Sequence, residues 1–132
     1  MVNTAKAAAA DIASRNDETQ EYGAFIYSLN GSVQYSTVFT KGSADEVDFN
    51  SSYIPAGAHL LGFIHNHPDQ SGIDDGYPSP DDWNVYNTYA GATGTNFTVD
   101  PNMLMFIYTD QDGNTRAYDK TDKNQTSSSC AI

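Results

Sequence analysis

The chain has 132 residues, a length that suits one domain with one hydrophobic core. Apolar residues make up 39% of the chain, which is enough to form such a core and argues against disorder over most of its length. Six basic and seventeen acidic residues give a formal net charge of −11, which excludes binding of nucleic acid or an anionic membrane through a basic surface.

A helix and a β-hairpin are the first predicted elements. Residues 4–15 are rich in alanine, and their apolar side chains form a narrow stripe that predicts a helix: Ala5, Ala8, Ala9 and Ile12. Two β-rich runs flank Asn30-Gly31, a dipeptide that favours the positive φ angles of a tight hairpin turn. The first run, residues 22–29, carries large residues on both faces and is expected to be an interior strand. Residues 40–57 are expected to be irregular surface chain.

The middle of the chain predicts a short buried strand, a loop and a second helix. Residues 59–65, "HLLGFIH", are almost wholly apolar and form the predicted strand. Proline and glycine punctuate residues 66–78, which indicates a loop. Ser79 is a good N-cap and Pro80 suits the first helical position, so a helix is expected up to residue 90. Its apolar face is expected to carry Trp83, Tyr86 and Ala90.

Two further strands are predicted near the end of the chain. Residues 103–109 form a buried strand, and residues 115–120 return as its partner across a turn at 110–114. The tail, 121–132, is expected to be flexible. The order α, β, β, β, α, β, β predicts a single domain of the α/β or α+β class, in which helices flank a mixed sheet.

His65 and His67 lie two residues apart at the end of the predicted third strand. Residues i and i+2 of a strand point to the same face, so the two imidazoles can converge on one ion. Cys130 is the single cysteine, so further ligands would have to be His, Asp or Glu, and Asp82 in the first helical turn is a candidate. A simpler interpretation is that Ser79 and Asp82 form a capping box and bind no metal. The local sequence does not separate these interpretations.

The joint pattern resembles the JAMM motif of the JAB/MPN zinc metalloprotease superfamily. In that motif His-x-His-Pro is followed by Ser-x-x-Asp at the start of a helix, and a glutamate lies upstream beside a strand. The matching stretches here are "HNHP" at 65–68, "SPDD" at 79–82 and "QEYGAFIY" at 20–27. The chain is also similar to an uncharacterised bacterial branch of that superfamily, found at the C-terminal ends of Rhs-type polymorphic toxins. The similarity covers about residues 15–118.

The resemblance implies a JAB/MPN-like (cytidine-deaminase-like) fold and zinc-dependent hydrolysis of peptide or isopeptide bonds. It implies that Zn²⁺ is bound by His65, His67 and Asp82. Glu21 would hold the attacking water and act as general base, and Ser79 would hydrogen-bond the developing oxyanion. A bacterial toxin or effector domain of this kind would act on a protein or peptide conjugate, with a cognate immunity protein as a further expected partner.

Some residues leave alternatives or depart from the family pattern. Eleven residues separate His67 from Ser79, more than the family usually shows. A second Ser-x-x-Asp, at 71–74, is rejected because it lies too close to His67 and no helix follows it. Glu18 lies one helical turn from Glu21 and is a less favoured candidate for the base. His59 is expected to be a surface or core-edge histidine.

Three functions are compatible with the sequence. The first is the zinc-dependent hydrolase, the second is a catalytically inactive JAB/MPN-like protein-interaction module, and the third is a metallohydrolase of another bond. No membrane-bound form is expected, since the longest apolar runs are far shorter than the ~20 residues of a transmembrane helix. The chain is therefore expected to be soluble, and a secreted effector acting in a target-cell cytoplasm is one expected setting.

Overall fold

The computed structural model describes residues 1–15, 20–40, 49–67, 78–92, 95–110 and 113–122. Its α-helices are α1 (Val2–Ser14) and α2 (Pro80–Ala90). Its strands are β1 (Tyr22–Leu29), β2 (Ser32–Tyr35), β3 (Phe39–Thr40), β4 (His59–His67), β5 (Thr98–Thr109) and β6 (Thr115–Tyr118). Short 3-10 helices cover Ser51–Tyr53 and Lys120–Asp122.

The strands form one mixed sheet in the spatial order β2-β1-β4-β5-β6, and β3 also pairs with β1. Strand β1 is antiparallel to β2, β3 and β4, and β5 is antiparallel to β6. Strands β4 and β5 are parallel, with α2 between them in the chain, as a parallel connection requires a crossover segment. The predicted α+β class with a mixed sheet is confirmed.

Each face of the sheet carries its own hydrophobic core, because side chains alternate along the central strands. On one face, side chains from β1, β4 and β5 pack with α2, among them Phe25, Phe63, Met105 and Trp83. On the other face the intervening residues of the same strands pack against the predicted alanine stripe of α1. Strand β1 is thus covered on both sides, which confirms the interior position predicted for it.

Both predicted hairpins are present. Asn30 has a φ of 53° and Gly31 a φ of 79°, and Leu29 pairs with Ser32 on either side of this turn. At the second hairpin the N–H of Thr109 donates to the carbonyl oxygen of Asn114 at 3.0 Å. Residues 111–112 of that turn lie outside the described part of the chain.

The second strand of the first hairpin covers only the first part of its β-rich run, residues 32–39. It stops at Tyr35, and pairing with β1 resumes only at Phe39. Between them, Ser36 bonds to Phe25 of β1 twice: its N–H donates to the carbonyl oxygen at 2.8 Å, and its Oγ accepts from the N–H at 2.9 Å. A side chain thus takes over part of the strand ladder, which no local pattern indicated.

The expectation that residues 40–57 form only irregular surface chain was wrong for the part that is described. Residues 41–48 lie outside the description, but Ser51–Tyr53 form a 3-10 helix. Ile54 after it is buried in the core on the α2 side of the sheet. The segment lacks the periodicity that marks longer elements, so its apolar contacts were not visible in the sequence.

Strand β4 does not end at His65 as predicted but continues to His67. Asn66 and His67 pair with the last residues of β5, so the parallel ladder holds them in the sheet. Asn66 and His67, the first two residues of the expected loop, therefore belong to the strand. Pro68 and the residues up to 77 lie outside the described chain.

Strand β5 begins at Thr98, five residues before the predicted start. Thr98 and Val99 pair with the beginning of β4, and the ladder then shifts before it resumes at Leu104. The intervening residues include Pro101, which lacks a backbone donor and makes the segment look like a strand boundary.

The buried face of α2 differs from the predicted one at its end. Trp83 and Tyr86 are buried as expected, but the third large residue is Tyr89, and Ala90 is exposed. The Tyr86 hydroxyl donates to the carbonyl oxygen of Met103 at 2.8 Å, and the Tyr89 hydroxyl to that of Phe49 at 2.9 Å. Trp83 and Tyr86 belong to the core, as predicted. Across the described residues, no helix is long and apolar enough to cross a lipid bilayer.

Gly62 allows β4 to lie close to the backbone of β5. A Cβ at this position would overlap the carbonyl oxygen of Leu104 and approach its carbonyl carbon to 3.3 Å. We expect Gly62→Ala to lower the free energy of unfolding by about 2–3 kcal/mol, because a strand backbone has to move. Urea denaturation measures the change.

Gly91→Ala is the matched control, since a Cβ there would lie 3.4 Å from the carbonyl oxygen of Asn87. Its effect is expected to stay below about 1 kcal/mol. A Gly62→Ala protein as stable as the Gly91→Ala protein would contradict the close approach of the two strands.

Candidate metal centre

The candidate site lies at the carboxyl ends of β4 and β5, which form the parallel pair among the described strands. Ligands in open α/β sheets commonly bind outside the carboxyl ends of parallel strands. His65 and His67 are each 1% exposed and share the face of the sheet that packs against α2. The fold therefore brings the two imidazoles to the first turn of that helix.

Three side chains converge at this point. Nε2 of His65 lies 3.2 Å from Nε2 of His67 and 3.0 Å from Oδ1 of Asp82. Nε2 of His67 lies 3.2 Å from Oδ2 of Asp82. Ligand atoms about 2.0–2.1 Å from a tetrahedral Zn²⁺ are separated by about 3.3 Å. The two nitrogens are about that far apart, and each faces a different oxygen of the Asp82 carboxylate, so the group is compatible with a metal site.

The start of α2 fixes the carboxylate of Asp82. The N–H of Ser79 donates to Oδ2 of Asp82 at 2.8 Å, and the N–H of Asp82 donates to Oγ of Ser79 at 3.1 Å. This confirms the capping box that was the simpler interpretation of these residues. The same carboxylate also faces both imidazoles, so its place in the capping box does not exclude a role as a metal ligand. Oγ of Ser79 accepts in this box and keeps its own proton for donation.

Asp82 is ionised at the site. Burial acts to raise its pKa, but the imidazoles of His65 and His67 hold the pKa of this carboxyl well below its usual range. Among the described residues it has no lysine or arginine partner. A nearly buried negative charge whose neighbours are two imidazoles and the N–H of Ser79 is compatible with a bound cation.

Glu21 lies beside this cluster, one residue before β1. It is 3% exposed, and its Oε1 is 3.9 Å from Nε2 of His65. The hydroxyl of Thr40 donates to the backbone carbonyl oxygen of Glu21 at 2.7 Å. The carboxylate is therefore outside the group of three converging side chains but within reach of a single bridging water. Glu18, the alternative base, lies outside the described residues.

Aromatic rings enclose the imidazole of His65. The ring of Phe63 is stacked on it at a centroid distance of 6.4 Å, and the ring of Phe49 stands perpendicular to it at 6.2 Å. Nδ1 of His65 is buried and has no hydrogen-bond partner among the described residues. Its Nε2 is then the ring nitrogen that carries the polar interactions of His65 in this part of the chain.

Sequence reasoning missed two residues of this environment, Phe49 and Asn66. Phe49 lies in the segment expected to be irregular surface. Asn66 lies between the two histidines and is 1% exposed. A polar residue beside a predicted buried strand requires hydrogen-bond partners, and this was the sequence feature that could have identified it.

The remaining histidine is separate from the cluster. His59 is partly exposed at the other end of β4, where Nδ1 lies 2.7 Å from Oγ1 of Thr98 and Nε2 3.1 Å from Oδ2 of Asp100. It lies partly exposed at the edge of the core, as predicted. The rejected pair Ser71 and Asp74 lies outside the described residues.

Comparisons of the chain with protein-family models, with curated proteins and with solved structures found no match. Its function is therefore proposed from its own residues, their geometry and the sequence resemblance.

Loss of the cap is expected to weaken α2. Ser79→Ala should lower the free energy of unfolding by about 1 kcal/mol, because the N–H of Asp82 loses its acceptor. Ser79→Asp, which keeps a capping oxygen, should cost less. Thermal denaturation in a buffer with a chelator measures both without any contribution from bound metal. Equal stability of wild type and Ser79→Ala would show that the capping box contributes little.

Proposed function

We propose that this chain is a zinc-dependent hydrolase of peptide or isopeptide bonds, of the JAMM type in the JAB/MPN superfamily. The observation that carries the proposal is the convergence of His65, His67 and Asp82, whose ligand atoms lie within 4.8 Å of one another, with the carboxylate of Glu21 beside them. Within the α+β class, we propose in addition that the fold is JAB/MPN-like.

The donor set favours zinc over a hard cation. Two imidazole nitrogens and one carboxylate are typical of catalytic zinc, whereas Ca²⁺ and Mg²⁺ prefer oxygen ligands alone. Three protein ligands leave a fourth position for water or substrate. The carboxylates of Glu21 and Asp82, 3% and 9% exposed, also place negative charge at the site that a divalent ion would balance.

The chemistry at the site follows from these groups. Zinc held there would polarise the scissile carbonyl and lower the pKa of a water to about 7. As the water oxygen bonds to the carbonyl carbon, Glu21 takes a proton from it. Glu21 then delivers that proton to the leaving nitrogen as the carbon–nitrogen bond breaks. The hydroxyl of Ser79 would donate a hydrogen bond to the developing oxyanion, and this bond would become stronger in the transition state.

The substrate and biological setting rest on the sequence resemblance. They comprise a protein or peptide-conjugate substrate, a role as a bacterial effector domain and a cognate immunity protein. A net charge of −11 adds that neutral or basic substrates are favoured over acidic ones.

Zinc content tests the metal site. The wild-type protein, expressed with zinc and analysed by inductively coupled plasma mass spectrometry, should hold about one zinc per chain. His67→Ala and Asp82→Asn should lose it, since each removes one of three ligands. Asp82→Asn keeps an oxygen for the capping box, so helix α2 still begins in the same way. His59→Ala is the matched control and should keep its zinc. Metal-free wild type, or zinc retained in His67→Ala, would refute the proposal.

Glu21→Gln tests the chemistry. This variant should keep its zinc but hydrolyse substrates about 10²–10⁴-fold more slowly, because the amide cannot take the proton. Mass spectrometry of new chain ends in a peptide mixture, which includes lysine-linked isopeptides, measures cleavage.

Cleavage by wild type that Glu21→Gln leaves unchanged would show that another group is the base. A zinc-loaded wild type that cleaves neither linkage would instead favour the inactive interaction module.

A further inference from the structure

Asn66 stands between the two candidate ligands and faces away from them. Strand alternation directs its side chain to the α1 side of the sheet, and it is 1% exposed. A buried amide costs free energy unless its oxygen and both its N–H groups find partners. Where those partners lie indicates what the residue holds in place.

All three polar positions of the Asn66 side chain are used. Its Oδ1 accepts from the backbone N–H of Tyr22 at 2.5 Å. Its Nδ2 donates to the backbone carbonyl oxygen of Gln20 at 3.3 Å and to Oδ2 of Asp110 at 3.2 Å. Two of the three bonds therefore go to the residues on either side of Glu21.

These bonds replace the strand ladder at the point where it ends. The antiparallel pairing of β1 with β4 extends to Gly23 opposite His65 and not beyond. The next residues toward the N-terminus, Gln20 to Tyr22, are attached to β4 through the side chain of Asn66. On the opposite side of β1, Thr40 holds the carbonyl oxygen of Glu21. The backbone at Glu21 is thus fixed from both neighbouring strands.

We propose that Asn66 is a positioning residue that sets the place of the Glu21 carboxylate beside the metal. This inference rests on the proposed function, in which Glu21 is the general base. The hydrogen-bond pattern requires an amide, because the group must accept from one backbone and donate to two oxygens. Alanine leaves the N–H of Tyr22 without its partner. Aspartate places an acceptor against the carboxylate of Asp110.

The first experiment uses amide hydrogen exchange to test the hydrogen bonds from Asn66 to Tyr22 and Gln20. In Asn66→Ala the Tyr22 amide should exchange about tenfold faster, as expected for a lost hydrogen bond at a strand end. Ser36→Ala is the matched control, since Oγ of Ser36 also accepts from a backbone N–H of β1, that of Phe25. It should leave exchange at Tyr22 unchanged. Unchanged exchange at Tyr22 in Asn66→Ala would show that Asn66 does not hold this segment, and would overturn the inference.

The second experiment asks whether Asn66 acts through Glu21. Co²⁺ is the probe, because it takes similar ligands to the spectroscopically silent Zn²⁺ and its visible spectrum reports the surroundings of the ion. Glu21→Gln should shift the spectrum, and Asn66→Ala should shift it in the same direction. In the Glu21→Gln background, Asn66→Ala should add nothing further. Ser36→Ala should leave the spectrum of the wild type unchanged.

The outcomes separate this inference from the function on which it rests. Wild type that binds no Co²⁺ would refute the metal site, and the role of Asn66 with it. Wild type that binds Co²⁺ with a spectrum unaffected by Asn66→Ala would refute the positioning role alone. An equal spectral shift in both backgrounds would show that Asn66 acts on the histidines and not on Glu21, and would also overturn the inference.

A rescue variant guards against a general loss of structure. Asn66→Asp should accelerate exchange at Tyr22 and shift the Co²⁺ spectrum, since two carboxylates then face each other. Combining it with Asp110→Asn restores a donor and an acceptor between the two side chains and keeps the net charge. The pair should recover most of the wild-type exchange rate and spectrum, with Asp110→Asn alone as the control. Failure of the pair to recover either property would contradict the proposed pattern.

Discussion

The burial of three polar residues at the end of strand β4 is the constraint around which the candidate site is arranged. His65, Asn66 and His67 are each 1% exposed. An unpaired polar group in such a place costs several kcal/mol in an apolar reference medium. The two imidazoles meet Asp82 on one face of the sheet, and the amide meets the segment around Glu21 on the other. Three consecutive residues thus hold together parts of the chain that are distant in sequence.

Helix α2 contributes to the site through its first turn. Asp82 belongs to a local motif with Ser79 and also faces two histidines from β4. The hydrogen bonds of the capping box fix the direction of the carboxylate independently of any bound ion. A ligand held by the start of a helix loses less conformational freedom on binding than one on a loose loop. The arrangement therefore combines helix capping and charge placement in one side chain.

Those parts of the fold that local chemistry determines were predictable from the sequence. Asn30-Gly31 specified its turn through backbone conformation, and the two-residue spacing of His65 and His67 specified a shared face. The start of β5 was not predictable. Pro101 lacks a backbone donor and suggests a strand boundary, whereas the observed start depends on pairing with β4. The role of Asn66 was also hidden, since its partner Tyr22 lies 44 residues away and only the register of β1 on β4 brings them together.

Gly62 bears on which face of the sheet carries the candidate site, although it lies three residues before His65. It permits the backbone of β4 to lie close to that of β5 where their pairing shifts and then resumes, with Gly62 opposite Leu104. A slip of one residue reverses the face to which every side chain of a strand points. Asn66 would then face Asp82, and both imidazoles would face the alanines of α1. The register beyond this residue thus decides which face of the sheet carries the two histidines.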